Sequence, residues 1–141
     1  MTALAKDTDI RTKGQLTFID YLVGTSQTIY KGAIVMLDPA TGYLIVGADT
    51  ASCIPVGIAD EQVISTTAGV KVCRVASGGL FLLPTATIAQ TDVPDTLCVA
   101  DSGSLALASV TTNDLKLGRI VYMVSTTSVW VYIPPTGAVA L

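Results

Sequence analysis

The sequence predicts an all-β protein, a small antiparallel β-sandwich or β-barrel with an extended N-terminal arm. Short β-branched and aromatic runs recur along the chain, and clusters of Gly, Pro, Asp, Ser and Thr separate them. No segment shows a sustained apolar stripe with the 3.6-residue period of a helix. Half of the 141 residues are hydrophobic and 13% are charged, which is typical of one domain with a sizeable core. Many short strands separated by turns favour a sandwich or a barrel.

We divide the chain into an N-terminal arm, residues 1–14, and a single β domain, residues 15–141. The arm is polar and lacks both periodicity and the apolar segment of a secretory signal. Its candidate contact residues are Lys6, Ile10, Arg11 and Lys13. The basic residues fit a solvated arm or a contact with an acidic partner surface. We expect the arm to reach along a partner protein or a sister subunit and to become ordered there, at an entropic cost.

The first half of the domain is predicted to consist of strands joined by short turns. These strands are Gln15–Val23, Gly32–Leu37, Tyr43–Val46, Ile54–Ile64, Gly69–Ala76 and Leu80–Leu83. The second and third form a hairpin, because Pro39 presets φ and Gly42 can adopt a positive φ in the loop between them. A Ser-Gly-Gly turn, Ser77–Gly79, joins the last two strands.

The second half contains two further predicted hairpins. Their strands are Thr96–Asp101 with Ser104–Ser109, and Leu115–Ser125 with Ser128–Pro135. The turns are Ser102–Gly103 and Thr126–Thr127, and the first of these is a two-residue hairpin signal. Residues 85–95 are ambiguous and could hold one short helical turn.

The last two strands are apolar on both faces. Val129, Val131 and Ile133 alternate with Trp130 and Tyr132, whereas a solvated antiparallel strand alternates apolar with polar residues. The strand that contains Tyr122 shows the same pattern. The second cover could come from another subunit or from a second sheet or loop of the same chain. Tyr122, Trp130 and Tyr132 are therefore candidate protein-interface residues.

The residue types that carry most enzyme chemistry are missing or isolated. The chain has no His, so it cannot hold a Ser-His-Asp or Cys-His catalytic set. It contains neither GxxxxGK[ST] nor GxGxxG. The carboxylate pairs Asp60–Glu61 and Asp92/Asp95 could act as acid and base, but they fall in predicted loops, where carboxylates are usually solvated. We expect no enzyme activity, no catalytic residues and no cofactor.

Metal, nucleic-acid and membrane partners are not expected either. Cys53, Cys73 and Cys98 form no CxxC pair, and without His they do not make a zinc set. They are expected to be reduced, buried side chains, as in a protein made in a reducing cytosol. The net charge of −3 argues against direct nucleic-acid binding. No apolar run approaches the roughly 20 residues of a membrane helix.

Five segments of the chain form an ordered set. They are Lys31–Ile45 (KGAIVMLDPATGYLI), Pro55–Glu61 (PVGIADE), Val70–Phe81 (VKVCRVASGGLF), Leu117–Val124 (LGRIVYMV) and Val129–Pro135 (VWVYIPP). This order resembles that of the head decoration, or capsid cement, proteins of tailed bacteriophages. The matching features are a first hairpin, a -GIA- strand, a strand-turn-G-F element and a closing hairpin, over roughly residues 30–135.

The resemblance implies a structural virion protein with a β-tulip-like domain, often a homotrimer. Such a protein is made in the host cytoplasm, binds the outer capsid surface and clamps neighbouring major capsid proteins against internal DNA pressure. The family brings no catalytic residues. This chain departs from it at residues 85–95 and in an apolar tail, Gly137–Leu141. The alternatives are another virion component, such as a tail or fibre β domain, and a carbohydrate-binding β module.

Overall fold

The computed structural model describes residues 3–135, and within that range the protein is all-β, as the sequence predicts. The strands are β1 Thr12–Lys13, β2 Thr17–Leu22, β3 Gln27–Ile29, β4 Ile34–Leu37, β5 Leu44–Val46, β6 Ile54–Ala59, β7 Val63–Ser65, β8 Val72–Ser77, β9 Leu80–Pro84, β10 Thr96–Asp101, β11 Ser104–Leu107, β12 Lys116–Ser125 and β13 Ser128–Tyr132. The ambiguous stretch 85–95 holds one 3₁₀ turn, Gln90–Asp92. The apolar tail Gly137–Leu141 lies outside the described residues.

Two antiparallel sheets pack together as a sandwich. One is six-stranded with the order β1-β9-β13-β12-β10-β11, and the other is five-stranded with the order β2-β8-β6-β4-β5. The three predicted hairpins are confirmed as the pairs β4/β5, β10/β11 and β12/β13. The barrel alternative is wrong. Only an isolated bridge between Thr85 and Leu105 connects the end of β9 to β11, so the six-stranded sheet curls without closing.

The main core lies between the two sheets and is built from aliphatic side chains around Phe81. Ile34, Met36 and Ile58 contribute from the five-stranded sheet, and Val129 and Val131 from the six-stranded sheet. Phe81 is fully buried in the middle of this set. Burial of these side chains supplies most of the driving force for packing the two sheets.

A second core lies on the opposite face of the five-stranded sheet. Strands β3 and β7 form a two-stranded sheet, and its Ile29 and Val63 pack with Val35, Cys73 and Val75. Strand β4 therefore buries both faces, which explains why its sequence, Ile34–Leu37, is apolar throughout. The predicted single strand Ile54–Ile64 splits into β6 and β7, because the chain turns at residues 60–62 to build this cover.

The turn between β8 and β9 carries the chain from one sheet to the other. Gly78 has φ +82°, a conformation that L side chains rarely adopt. A Cβ on Gly79 would lie 2.5 Å from Leu16 Cδ2 and 2.9 Å from the carbonyl oxygen of Lys13. The glycine pair thus permits a close crossing, and we see no sign there of a phosphate-binding loop.

The described part of the N-terminal arm lies along its own domain. The Leu4 amide donates to Ser102 Oγ, and the Thr8 amide donates to the Lys31 carbonyl. The Arg11 carbonyl then accepts a hydrogen bond from the Leu82 amide, and β1 pairs with the edge of β9. Deleting the arm would therefore remove an edge strand as well as any partner contact.

Candidate interaction surface

The outer face of the six-stranded sheet is the surface where most of the predicted interface residues meet. Val129 and Val131 of β13, and Ile133 immediately after it, belong to the main core. Trp130 and Tyr132 point the other way, because successive side chains alternate across a strand. Neither of the two buried cores includes Trp130 or Tyr132. Within residues 3–135, this side of the sheet therefore has no second layer comparable to the one that β3 and β7 form.

A cluster of Lys13, Tyr122 and Trp130 forms the centre of this surface. Tyr122 lies opposite Trp130 in the β12/β13 pair, and their ring centroids are 6.0 Å apart at 29°. Lys13 reaches across β9, and its Nζ lies 4.5 Å from the Trp130 centroid and donates a 2.8 Å hydrogen bond to Tyr122 Oη. The arrangement combines a cross-strand aromatic pair with a cation–π contact.

The chain itself covers Trp130. The indole is only 3% exposed, beneath the Lys13 side chain and beside Tyr122. The sequence allowed this side of the strand to be covered either by another subunit or by the same chain. For Trp130 the structure shows that the same chain covers it. Tyr132 and Tyr122 differ, because they are 36% and 39% exposed and remain accessible to a partner.

Two β-bulges add aliphatic side chains to the same region. The β12/β13 register shifts between Ile120 and Tyr122 and again between Met123 and Ser125. Each shift inserts an extra residue, which here is Val121 or Val124. Val121 is 38% and Val124 60% exposed. We call the set Lys13, Val121, Tyr122, Val124, Trp130 and Tyr132 the aromatic face.

The aromatic face is positively charged in an acidic chain. The four adjacent strands β1, β9, β13 and β12 contain Lys13, Lys116 and Arg119 but no Asp or Glu. Arg11 immediately precedes β1 and is exposed. The whole chain has a net charge of −3, and its described acidic residues lie outside these four strands, with Asp95 at the border of β12, where its carbonyl accepts a hydrogen bond from the Ile120 amide. Such segregation favours an acidic or neutral partner at this surface.

Two of the predicted contact residues lie away from this surface. Ile10 is partly buried against the main core, beside Gly32. Lys6 is exposed near the start of the described arm, where its carbonyl accepts a hydrogen bond from the Thr8 hydroxyl. The structure thus brings together Arg11, Lys13, Tyr122, Trp130 and Tyr132 but not Lys6 or Ile10.

A cleft of about 520 Å³ borders the aromatic face, and the sequence pattern did not reveal it. Its lining includes Tyr21, Ile54, Val56, Leu117, Arg119 and Tyr132. Arg119 and Tyr132 lie opposite each other in the β12/β13 pair, so the cleft begins where the aromatic face ends. Its other walls come from β2 and β6, which are distant in sequence. Local patterning could not have brought these segments together.

A second exposed apolar group lies on β2 and β8 and has a different character. Phe18, Leu22 and Val72 are exposed there, but the Arg74 guanidinium lies 4.1 Å from the Phe18 ring centroid. Arg74 also pairs with Asp60 at 3.6 Å. The cation beside this apolar group is therefore already paired with a carboxylate, whereas Lys13 of the aromatic face has no carboxylate partner among the described residues.

One carboxylate of each predicted pair has a structural contact. Asp92 Oδ2 accepts a 2.7 Å hydrogen bond from the Ala89 amide at the 3₁₀ turn, and Asp60 pairs with Arg74. Asp49 accepts bonds from the Thr112 and Asn113 amides, and these bonds hold the pKa of its carboxyl below the usual value. Asp49 thereby ties the loop before β12 to the loop after β5.

The three cysteines are buried free thiols, as expected from the sequence. Burial raises the pKa of Cys73 to about 12, and the pKa values of Cys53 and Cys98 are raised by the same cause. Within residues 3–135, no group of three His, Cys, Asp or Glu side chains is placed to hold a metal ion. The described part of the chain also contains no helix long and apolar enough to cross a membrane.

No known protein-family model matches the sequence, and no curated protein is significantly similar to it. The resemblance to capsid cement proteins therefore rests on the ordered segments between residues 31 and 135. Function must be argued from the surface of the molecule.

Proposed function

We propose that the protein is a structural virion component that binds the outer surface of a phage capsid and stabilises contacts between major capsid proteins. The observation that carries the proposal is the aromatic face. Among the described residues 3–135 no second sheet covers it, Tyr122, Tyr132, Val121 and Val124 are exposed there, and its four strands contain no acidic residue. The resemblance of the ordered segments to capsid cement proteins is the reason for proposing the major capsid protein as the partner.

The composition of the aromatic face fits a protein–protein contact. Tyr, Trp and Arg are enriched at the centres of interfaces, whereas Glu and Asp are depleted there. Contiguous exposed apolar side chains on a small protein mark a binding surface or an aggregation risk. The basic residues Lys13 and Arg119 at its margins would steer it towards an acidic capsid surface.

The same proposal includes a homotrimer located on the outer capsid, with the protein made in the host cytoplasm. A trimer would present three aromatic faces, so that several weak contacts act together on neighbouring capsid proteins. Sedimentation equilibrium of the purified protein tests the oligomeric state, and a monomer at micromolar concentration would remove the trimer from the proposal.

Co-sedimentation with expanded, undecorated capsids tests the main proposal. The double variant Val121→Ser, Val124→Ser should lose at least about tenfold in capsid affinity, because both side chains lie in the exposed part of the aromatic face and neither lines the adjacent cleft. The matched control is Ile64→Ser, Val70→Ser, which removes similar exposed apolar area from another surface. Equal loss in both variants, or no capsid binding by the unchanged protein, would contradict the proposal.

A carbohydrate-binding module is the second candidate, because Tyr122 and Tyr132 present partly exposed rings on a sheet surface. Glycan-array binding that disappears with Tyr132→Ser would favour this function. A tail or fibre location would instead appear as antibody labelling away from the head in electron micrographs of virions.

A further inference from the structure

The cleft beside the aromatic face has the dimensions of a small-molecule site. Its volume of about 520 Å³ lies within the range of roughly 300–1,000 Å³ that small-ligand pockets span. Tyr21 of β2, Val56 of β6 and Leu117 of β12 form parts of its walls. Aliphatic and aromatic walls of this kind favour an apolar body in the ligand.

Two cations stand in the wall of the cleft. Lys116 and Arg119 both lie on β12, and both are exposed. None of the described Asp or Glu residues lines the cleft. The salt bridges within residues 3–135 join Lys31 to Asp9 and Arg74 to Asp60, so the two cations of the cleft have no carboxylate partner there.

We propose that the cleft binds a small apolar molecule that carries one carboxylate. Its apolar body would lie against Tyr21, Val56 and Leu117, and its carboxylate would accept hydrogen bonds from Arg119 and Lys116. A guanidinium matches the planar carboxylate, and an ammonium adds a second charge. This proposal goes beyond capsid binding, because the cleft can take its ligand whether or not the aromatic face contacts a capsid.

Titration of the full-length protein with decanoate, below its micelle concentration, tests the proposal. Isothermal calorimetry gives the affinity, and amide shifts in nuclear magnetic resonance spectra give the location. Decanol and decyltrimethylammonium are the matched probes, since they keep the alkyl chain but carry no charge or a positive one. We expect decanoate to shift amides of Val56 and Leu117 and to bind at least about tenfold more tightly than either comparator. Equal affinity for all three, or shifts confined to other surfaces, would overturn the proposal.

Substitution of the cations locates the carboxylate. The variant Lys116→Met, Arg119→Met should lose about tenfold or more in decanoate affinity and little in decanol affinity. The control Lys6→Met, Lys71→Met removes the same charge from exposed positions that do not line the cleft. A similar loss in the control would show an effect of net charge alone, and the site would be rejected. Because Lys116 and Arg119 are exposed, both variants should keep the fold, which circular dichroism verifies.

A variant that ends at Pro135 tests whether the cleft binds a small molecule or is occupied by residues 136–141 of the same chain. The full chain and the shortened chain should bind decanoate equally. Binding by the shortened chain alone would assign the cleft to residues 136–141 and overturn the small-molecule proposal. Failure of the unchanged protein to co-sediment with capsids, with decanoate binding intact, would reject the proposed function and leave the cleft proposal standing.

Discussion

The outer face of the five-stranded sheet is covered by β3 and β7, whereas the outer face of the six-stranded sheet presents the aromatic face to solvent. Both sheets contain a strand that is apolar on each side, β4 in the five-stranded sheet and β13 in the six-stranded sheet. The outer face of the five-stranded sheet is buried against Ile29 of β3 and Val63 of β7. The six-stranded sheet covers only Trp130, with Lys13, and leaves Tyr132 and Val124 accessible. The same sequence pattern thus serves internal packing on one sheet and an available contact surface on the other.

The largest expected effect lies on the covered side. Ile29→Ala should lower the free energy of unfolding by about 2–5 kcal/mol, because Ile29 is fully buried and its removal leaves a cavity between the two-stranded sheet and β8. Ile64→Ala, on the exposed side of the same small sheet, should change it by less than about 0.5 kcal/mol. Urea unfolding followed by circular dichroism measures both. Equal effects would show that the two-stranded sheet does not form a true second core.

The buried thiol of Cys73 makes the covered side sensitive to alkaline pH. Its pKa is raised from 9.0 to about 12, so the fold favours the protonated form. The stabilising contribution is complete below pH 9 and is lost as pH rises towards 12, by up to about 1.4 kcal/mol per pH unit. The difference in unfolding free energy between the native protein and Cys73→Ala should therefore shrink above pH 9. Parallel pH curves would contradict the burial of this thiol.

Lys13→Met tests how the chain covers Trp130 on the other sheet. The change removes the hydrogen bond to Tyr122 and the cation–π contact, and it should cost about 0.5–1 kcal/mol of stability. Acrylamide should also quench the fluorescence of the single Trp more strongly. Lys6→Met, at an exposed position of the same arm, is the control and should leave both measurements unchanged. Unaltered quenching in Lys13→Met would show that other groups shield the indole.

The smallest stability effect is expected within the aromatic face itself. Val124→Ser should alter the free energy of unfolding by less than about 0.5 kcal/mol, since Val124 is 60% exposed. Val75→Ser places the same change in the second core, where an added hydroxyl would have to be buried, and should cost several kcal/mol. Thermal unfolding of the pair compares the two faces directly. A large loss in Val124→Ser would mean that this residue supports the fold.

The sequence predicted the strands, the three hairpins and the grouping of Tyr122, Trp130 and Tyr132, because these depend on local turns and on alternation. It could not predict that β8 and β9 enter different sheets, since a three-residue turn is compatible with a hairpin and with a crossing. It missed β3, whose sequence Gln-Thr-Ile is short and mostly polar. The contact of Lys13 with Trp130 and the cleft around Tyr21 join residues about a hundred positions apart. Only the three-dimensional packing brings them together.

The strand order of the six-stranded sheet affects how the protein is completed during synthesis. Strand β13, the last strand described, lies between β9 and β12 rather than at an edge. Until residues near 132 have left the ribosome, β9 and β12 lack the neighbour that joins them, and Phe81 has no partner strand on that side. The five-stranded sheet, which is complete by Ser77, can assemble earlier. A nascent chain therefore exposes the unpaired edge of β9 until β13 has been made, and unpaired strand edges of this kind are prone to aggregation.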